Sequence, residues 1–392
     1  MKTALQAGAL ADALDFISDA LATSTYIPVL AGTRLEASAS GLTVSATDFD
    51  RYAIGTVAGA VVEDFGAAIL SATALTGIAE GFPKDATLTI MADEKSASVQ
   101  SGRSRYRPPL WPITDFPLPL TIDVPVCSVT MGKHELRNLF GRTAFAASTE
   151  PTRSYLNGIY LHEAGGALTG VATDGRRLAR NALPTLEFVG RWPAGGIIVP
   201  NKAVAIINKL AKTAETIELT VGGPVRASET VTLITIRAGG RSLTSKLIDG
   251  TFPNYEQFIP APSSNSALID RADLVGAVRR AAAVSADEAL CLGITWSNRD
   301  TSVQLCLTRA VDAVIDEVAA ETHGAARVAL SARLLLQLLD MIRCDTLRLD
   351  PGNHPGTPVL ITDPADTTFV SLIMPMDWLA PALESVRKRA RQ

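Results

Sequence analysis

The 392-residue sequence predicts an α+β chain built as three repeated domains, each with two helices and antiparallel sheets. Three observations predict it. One order of elements (apolar strand, small or polar residue, apolar helix) recurs at a spacing of roughly 130 residues. It occurs at Ala67–Leu75, Ile197–Val204 and Val328–Leu335. A strand-like run follows each copy, at Thr87–Ile90, Ile217–Val221 and Thr346–Leu349. A helical pattern opens each third, around Leu10–Leu14, Leu136–Phe140 and Leu274–Val278.

Ser71, Pro200 and Ser331 occupy equivalent places, where the second helix of each unit would begin. Alternating stretches at Leu42–Ala46, Ser96–Gln100 and Val231–Ile236 predict further strands. Turns are predicted at Gly165-Gly166, Gly222-Gly223-Pro224, Gly239-Gly240 and Pro351-Gly352. These strands are spaced too closely for parallel crossovers, so antiparallel sheets are expected. Boundaries fall near Asp123–Val126 and Pro260–Ser266, giving domains 1–125, 126–260 and 261–378 and an extension over 379–392. The apolar, proline-rich Phe116–Pro125 reads as an extended connector packed on the domains.

Apolar residues make up 47% of the chain, enough for packed cores. No apolar run approaches the roughly 20 residues of a membrane span. The N-terminus lacks a long apolar segment, so no secretory signal and a cytoplasmic, nucleoid-associated location are expected. The four cysteines (Cys127, Cys291, Cys306, Cys344) and the four histidines are scattered, which predicts reduced thiols, no metal and no cofactor. Phosphate-loop, dinucleotide and hydrolase motifs are absent. Asp48–Asp50 and Asp174 could suggest carboxylate chemistry. Ala46-Thr-Asp48 and Ala172-Thr-Asp174 hold matching repeat positions, however, which favours a turn or capping role. No catalytic residues are expected, and the chain does not read as an enzyme.

The formal net charge of −4 argues on its face against nucleic acid, but net charge hides distribution. Acids crowd the first third, among them Asp12, Asp15, Asp19, Glu63 and Asp64, while basic residues sit on particular helices further along.

Five motifs in register carry a resemblance to one family. They are Ser101-Gly-Arg-Ser-Arg-Tyr106, Tyr155-Leu-Asn-Gly158, Val171-Ala-Thr-Asp-Gly-Arg-Arg-Leu178, the run from Thr244 to Tyr255, and Ile373-Met-Pro-Met376. The chain resembles the bacterial DNA polymerase III β sliding clamps, in order and spacing from near residue 1 to residue 376. The resemblance implies the DNA-clamp fold and a head-to-tail dimeric ring around duplex DNA. Helices would line the hole, and the ring would act as a processivity factor without catalysis. It implies as partners sequence-independent duplex DNA, a second copy of the chain, the polymerase III α subunit, the clamp loader and other clamp-motif proteins, with no membrane.

By position, the resemblance assigns DNA contacts to Arg137, Arg153, Tyr155, Lys202, Lys209, Arg280 and Arg333. The helices of the first domain carry no Lys or Arg, and Ser24 stands where relatives often have a basic residue. A partner-peptide cleft is implied at Leu156, Thr173, Gly175, Arg176, Arg177, Leu178, Pro253, Phe258, Leu372, Met374, Pro375 and Met376. Ordinary core packing is the plainer role for its leucines. The ring joint is implied to pair an edge strand of the first domain with one of the third, through Arg105, Tyr106, Ala283 and Val284. Ala74 replaces a common Lys there, so an apolar joint with modest salt dependence is expected. The extension after Met376, with Leu379, Leu383 and Val386 at helical spacing and a basic end, is expected to fold near the cleft and tune access to it. The alternative is a specialised or paralogous clamp acting mainly as a protein-binding scaffold.

Overall fold

Helix α1 (Ala7–Ile17) buries Leu10, Ala13, Leu14, Phe16 and Ile17 and leaves Asp12 and Asp15 outside, so an amphipathic period positions its acids. In the computed structural model, residues 1–22, 26–184, 186–212, 214–224, 231–284, 290–308, 313–354 and 356–377 are described. Each predicted strand–residue–helix copy is present. Ser71 ends Gly66–Ser71 and caps α2 (Ala72–Glu80), its hydroxyl accepting the Ala74 N–H. In the middle repeat a four-residue α3 (Lys133–Leu136) runs into a π-helical turn, Arg137–Gly141. Pro200 ends Ile197–Pro200 and opens α4 (Asn201–Leu210). In the last repeat α5 (Arg271–Ala283) is capped by Asp270, and Ser331 ends Ala326–Ser331 and caps α6 (Ala332–Leu339).

The chain divides into two units. The first holds Met1–Phe140, Gly158–Leu168 and Pro184–Gly250; the second holds Gly141–Asn157, Thr169–Leu183 and the chain from Thr251 onward.

In the first unit a five-stranded antiparallel sheet runs in the order Val61–Asp64, Lys2–Gln6, Thr87–Ala92, Ala97–Ser101, Ser104–Tyr106. A ten-stranded sheet joins the first two repeats where Arg51–Val57 pairs antiparallel with Arg241–Lys246. In the second unit Arg177–Leu183 pairs in the same sense with Phe369–Ile373, which joins the middle and last repeats. The two junctions are quasi-equivalent, because each strand follows the same Thr-Asp turn.

Two readings change. Gly222-Gly223-Pro224 is not a simple turn: both glycines belong to the strand Thr216–Gly223, opposite Val124 and Pro125. A Cβ at Gly222 would lie 2.3 Å from the Val124 carbonyl oxygen, so glycine serves close backbone approach there. The connector packs only in part. Phe116 joins a core cluster with Val29, Leu30, Tyr52 and Ile69, but Leu118 is exposed. The cysteines are free thiols: Cys127 and Cys306 are buried, Cys291 and Cys344 half-buried. Burial pushes the Cys127 thiol up from its ordinary pKa.

Candidate functional site

Thr173 and Asp174 build a tight turn in the second unit. Asp174 Oδ1 accepts the N–H groups of Arg176 (2.8 Å) and Arg177 (3.0 Å). The Thr173 hydroxyl donates to the Arg177 carbonyl at 2.6 Å and accepts the Gly175 N–H at 3.1 Å. Gly175 takes φ +85°, the left-handed region, and its Cα faces the Arg153 guanidinium: a Cβ built there would lie 3.2 Å from Nη1. Arg177 donates to Asp174 Oδ2 at 3.0 Å and to Gln337 Oε1, with its guanidinium 5.3 Å from the Phe145 ring centre. Burial pulls the Arg177 pKa down and Asp174 opposes it, so the group stays charged.

This turn feeds the strand that pairs with Phe369–Ile373, with Leu178 opposite Leu372. The chain then continues past the sheet, held at two points. The Met374 N–H donates to the Arg176 carbonyl at 2.7 Å, and the Met376 N–H to the Ala329 carbonyl at 2.8 Å. All twelve residues of the implied cleft fall in the second unit. Leu156, Leu178 and Leu372 are 2–4% exposed and belong to the buried core. Thr173, Arg177, Pro253, Met374, Pro375 and Met376 are half-buried, and Gly175, Arg176 and Phe258 are exposed. The open surface is therefore polar and methionine-rich at one rim and aromatic at another.

A cavity of about 340 Å³ opens beside Pro375 and Met376, lined also by Ala325–Ala329, Asn353 and His354. Of these last residues the sequence marks Val328 and Ala329 only as part of the repeat, and none as a site. The Pro351-Gly352 turn and the strand run before Ser331 were the available signals.

The implied DNA contacts differ in what they touch. Arg137 and Lys202 are exposed and make no ion pair among the described residues. Tyr155 is 36% exposed. Arg333 is exposed on the first turn of α6. Arg153 pairs with Glu150 at 2.8 Å, and Arg280 with Asp316 at 2.8 Å. Lys209 reaches Asp15 at 3.3 Å and Asp19 at 2.9 Å. Hydrogen bonding to Arg280 holds the Asp316 carboxyl below the usual range.

At the implied joint, Arg105 and Tyr106 lie on Ser104–Tyr106, the edge of the five-stranded sheet. Tyr106 is 40% exposed and packs edge-on against Phe82, with ring centres 6.0 Å apart. Beside it Ala74, Ile78, Phe82 and Pro108 line a cavity of about 430 Å³. Ala283 and Val284 are not on a strand, contrary to the expectation of strand pairing there: Ala283 ends α5, and Val284 is its C-cap, 49% exposed. The Ala281–Ala283 run has high helix propensity and carries the helix that far. Ser24 and the extension from Trp378, with Leu379, Leu383 and Val386, lie outside the described residues.

Known proteins resemble the chain over nearly its whole length. The family model for the N-terminal domain of the DNA polymerase III beta subunit matches residues 1–121, and that for its central domain residues 130–254. The beta sliding clamp of Caulobacter vibrioides is 32% identical over 384 residues, 96% of this chain and all of that protein. That of Pseudomonas aeruginosa is 28% identical over 383 residues, with the same coverage. The crystal structure of the Caulobacter crescentus clamp with bound PEG superposes with TM-score 0.85 at 30% identity, over 96% of this chain and 100% of that one. A Bartonella birtlesii clamp bound to griselimycin gives 0.86 at 26% identity, with the same coverage.

Proposed function

We infer the function from one premise: the chain belongs to the DNA polymerase III beta subunit family and is a processivity clamp of the sliding-clamp fold. We propose that two copies close head to tail into a ring around duplex DNA. The observation that carries this is the repeated junction. Arg51–Val57 with Arg241–Lys246, and Arg177–Leu183 with Phe369–Ile373, are quasi-equivalent, and the edge strand Ser104–Tyr106 remains open. A closed ring satisfies such an edge, and head-to-tail contact is the symmetry that closes it. Val284 and the apolar cavity beside Tyr106 suit a joint held by apolar contact as well as strand pairing.

On this reading Arg137, Lys202, Arg153, Tyr155 and Arg333 touch phosphates, weakly and without reading bases. Encirclement, and not affinity, retains the protein on DNA. Its contribution to synthesis is effective concentration, while the chemistry stays with the polymerase. The rim of Arg176, Phe258, Met374, Pro375 and Met376 suits an extended peptide with apolar anchors, presented by the polymerase α subunit, the clamp loader and other partners. The place of action is the cytoplasm, at the nucleoid.

Light scattering across a dilution series, then retention on nicked circular and linear DNA after loading, tests the ring. Twice the chain mass, with retention on circles and loss from linear ends, is the expected result. A monomer, or equal retention on both DNAs, would reject it and leave the scaffold reading, which the carboxylate pairing of Lys209 and Arg280 favours.

A further inference from the structure

Two acids of α1 and one of the 3-10 turn that follows it, Ser18–Ala20, form one stripe. Asp12, Asp15 and Asp19 are spaced three and four residues apart, lie on one face, and are all exposed. Two cations of the middle repeat reach it. Arg241 pairs with Asp12, with its guanidinium 5.2 Å from the Phe16 ring centre. Lys209 Nζ lies 2.6 Å from the Asp15 carbonyl, 2.9 Å from Asp19 Oδ2, 3.0 Å from Ser18 Oγ and 3.3 Å from Asp15 Oδ1. An ammonium has three N–H donors and no more, so these acceptors leave none for a phosphate. The last turn of α1 has no basic residue of its own, and Lys209 supplies the cation that the negative end of a helix dipole favours. Lys202, seven residues earlier on α4, shares the Lys209 face but is exposed and makes no ion pair among the described residues.

Resting on the clamp reading above, we propose that Asp15 and Asp19 are determinants of DNA affinity. They sequester Lys209, leaving Lys202 as the phosphate contact of α4. A phosphate that recruited Lys209 would have to displace two carboxylates and a helix-terminal carbonyl. The first repeat thus weakens DNA contact twice, by lacking cations on its own helices and by occupying one on its neighbour. Such a surface lowers friction for a protein retained by encirclement.

Binding of a fluorescent duplex by anisotropy, from 50 to 200 mM salt, tests the proposal. Asp15→Asn with Asp19→Asn should tighten binding at low salt and steepen the slope of log K against log salt by about 0.9, the value of one added phosphate contact. Lys209→Ala should remove that gain in the double-Asn background and cost little slope in the native chain. A loss of about 0.9 from Lys209→Ala alone would overturn the proposal even if the double-Asn chain misfolds, because it would show Lys209 already on DNA. An unchanged slope in a folded double-Asn chain would overturn it too. Lys202→Ala separates the two levels: its slope should fall by about 0.9, and an unchanged slope would refute the placement of α4 on DNA itself.

Discussion

Asp48 and Asp174 hold the same turn in two copies of the repeat. Asp48 Oδ1 accepts the N–H groups of Asp50 at 3.2 Å and Arg51 at 2.9 Å, as Asp174 does for Arg176 and Arg177. Thr47 and Thr173 each donate a hydroxyl to the carbonyl four residues on, at 2.6 Å. Each Asp also pairs with the arginine three residues on. The position between them takes positive φ in both, as Phe49 (+72°) and as Gly175 (+85°). These carboxylates fix the entry to the two junction strands.

Replacing Asp174 by Ala removes both backbone hydrogen bonds and the carboxylate beside Arg177, which keeps Gln337. A loss of about 2 kcal/mol of stability is expected, from roughly 1 kcal/mol per bond. Peptide affinity should fall with it, since the Arg176 carbonyl that holds Met374 belongs to this turn. Urea unfolding with peptide anisotropy checks both.

Phe258→Ala should leave stability within about 0.5 kcal/mol, because the ring is 50% exposed. Binding of a polymerase-derived peptide should weaken several-fold. Unchanged affinity would place the peptide elsewhere.

Gly158 begins its strand opposite Pro200, and a Cβ there would lie 2.3 Å from the Val199 carbonyl oxygen. Gly158→Ala should therefore cost about 2 kcal/mol or more, since backbone must shift to admit it. A thermal melt equal to that of the native chain would contradict this packing.

Val284→Asp should shift the dimer to monomer at micromolar concentration, because a charge would have to be desolvated at the apolar joint. In the native chain, dissociation should follow dilution more than salt. Sedimentation at two ionic strengths distinguishes this from a joint held by charge pairs.

Acid should unfold the second unit through Asp366 and Asp350. Burial pushes both carboxyls up. Hydrogen bonds from Thr368 and Arg142 to Asp366, and from Ser263, Gly352 and Arg348 to Asp350, outweigh it and hold both below the ordinary range. A depressed folded pKa gives stability that is full above the unfolded value of about 3.9 and is lost as pH falls through the folded one. Asp366→Asn should flatten part of that acid limb. It should also destabilise at neutral pH, by leaving Arg142, 5% exposed and 3.9 Å from the Phe369 ring centre, without its carboxylate.

The repeat and its helix starts were legible because they are local: Ser71 and Ser331 accept N–H groups three residues on, and Pro200 pre-sets the backbone before α4. The Asp48 and Asp174 turns were legible for the same reason. Gly222 was misread because a close strand neighbour, and not a turn, calls for glycine there, and nothing local marks Val124 as that neighbour. The end of α5 at Ala283 was missed because position in a related sequence does not reveal how far helix propensity carries.

By itself, then, the sequence determined the threefold unit, the order of its elements and the family. The unit and its order rest on periodicity, capping and turn chemistry acting within a few residues, and the family on a resemblance carried by five motifs in register. Only the tertiary structure decided which side chains of the candidate sites are open. Leu178 and Leu372 are buried as opposite partners on strands far apart in the chain, and Lys209 and Arg280 became partners of Asp19 and Asp316 because folding brought those carboxylates within 3 Å. A charge's availability depends on what surrounds it in space, and residues far apart in sequence set that.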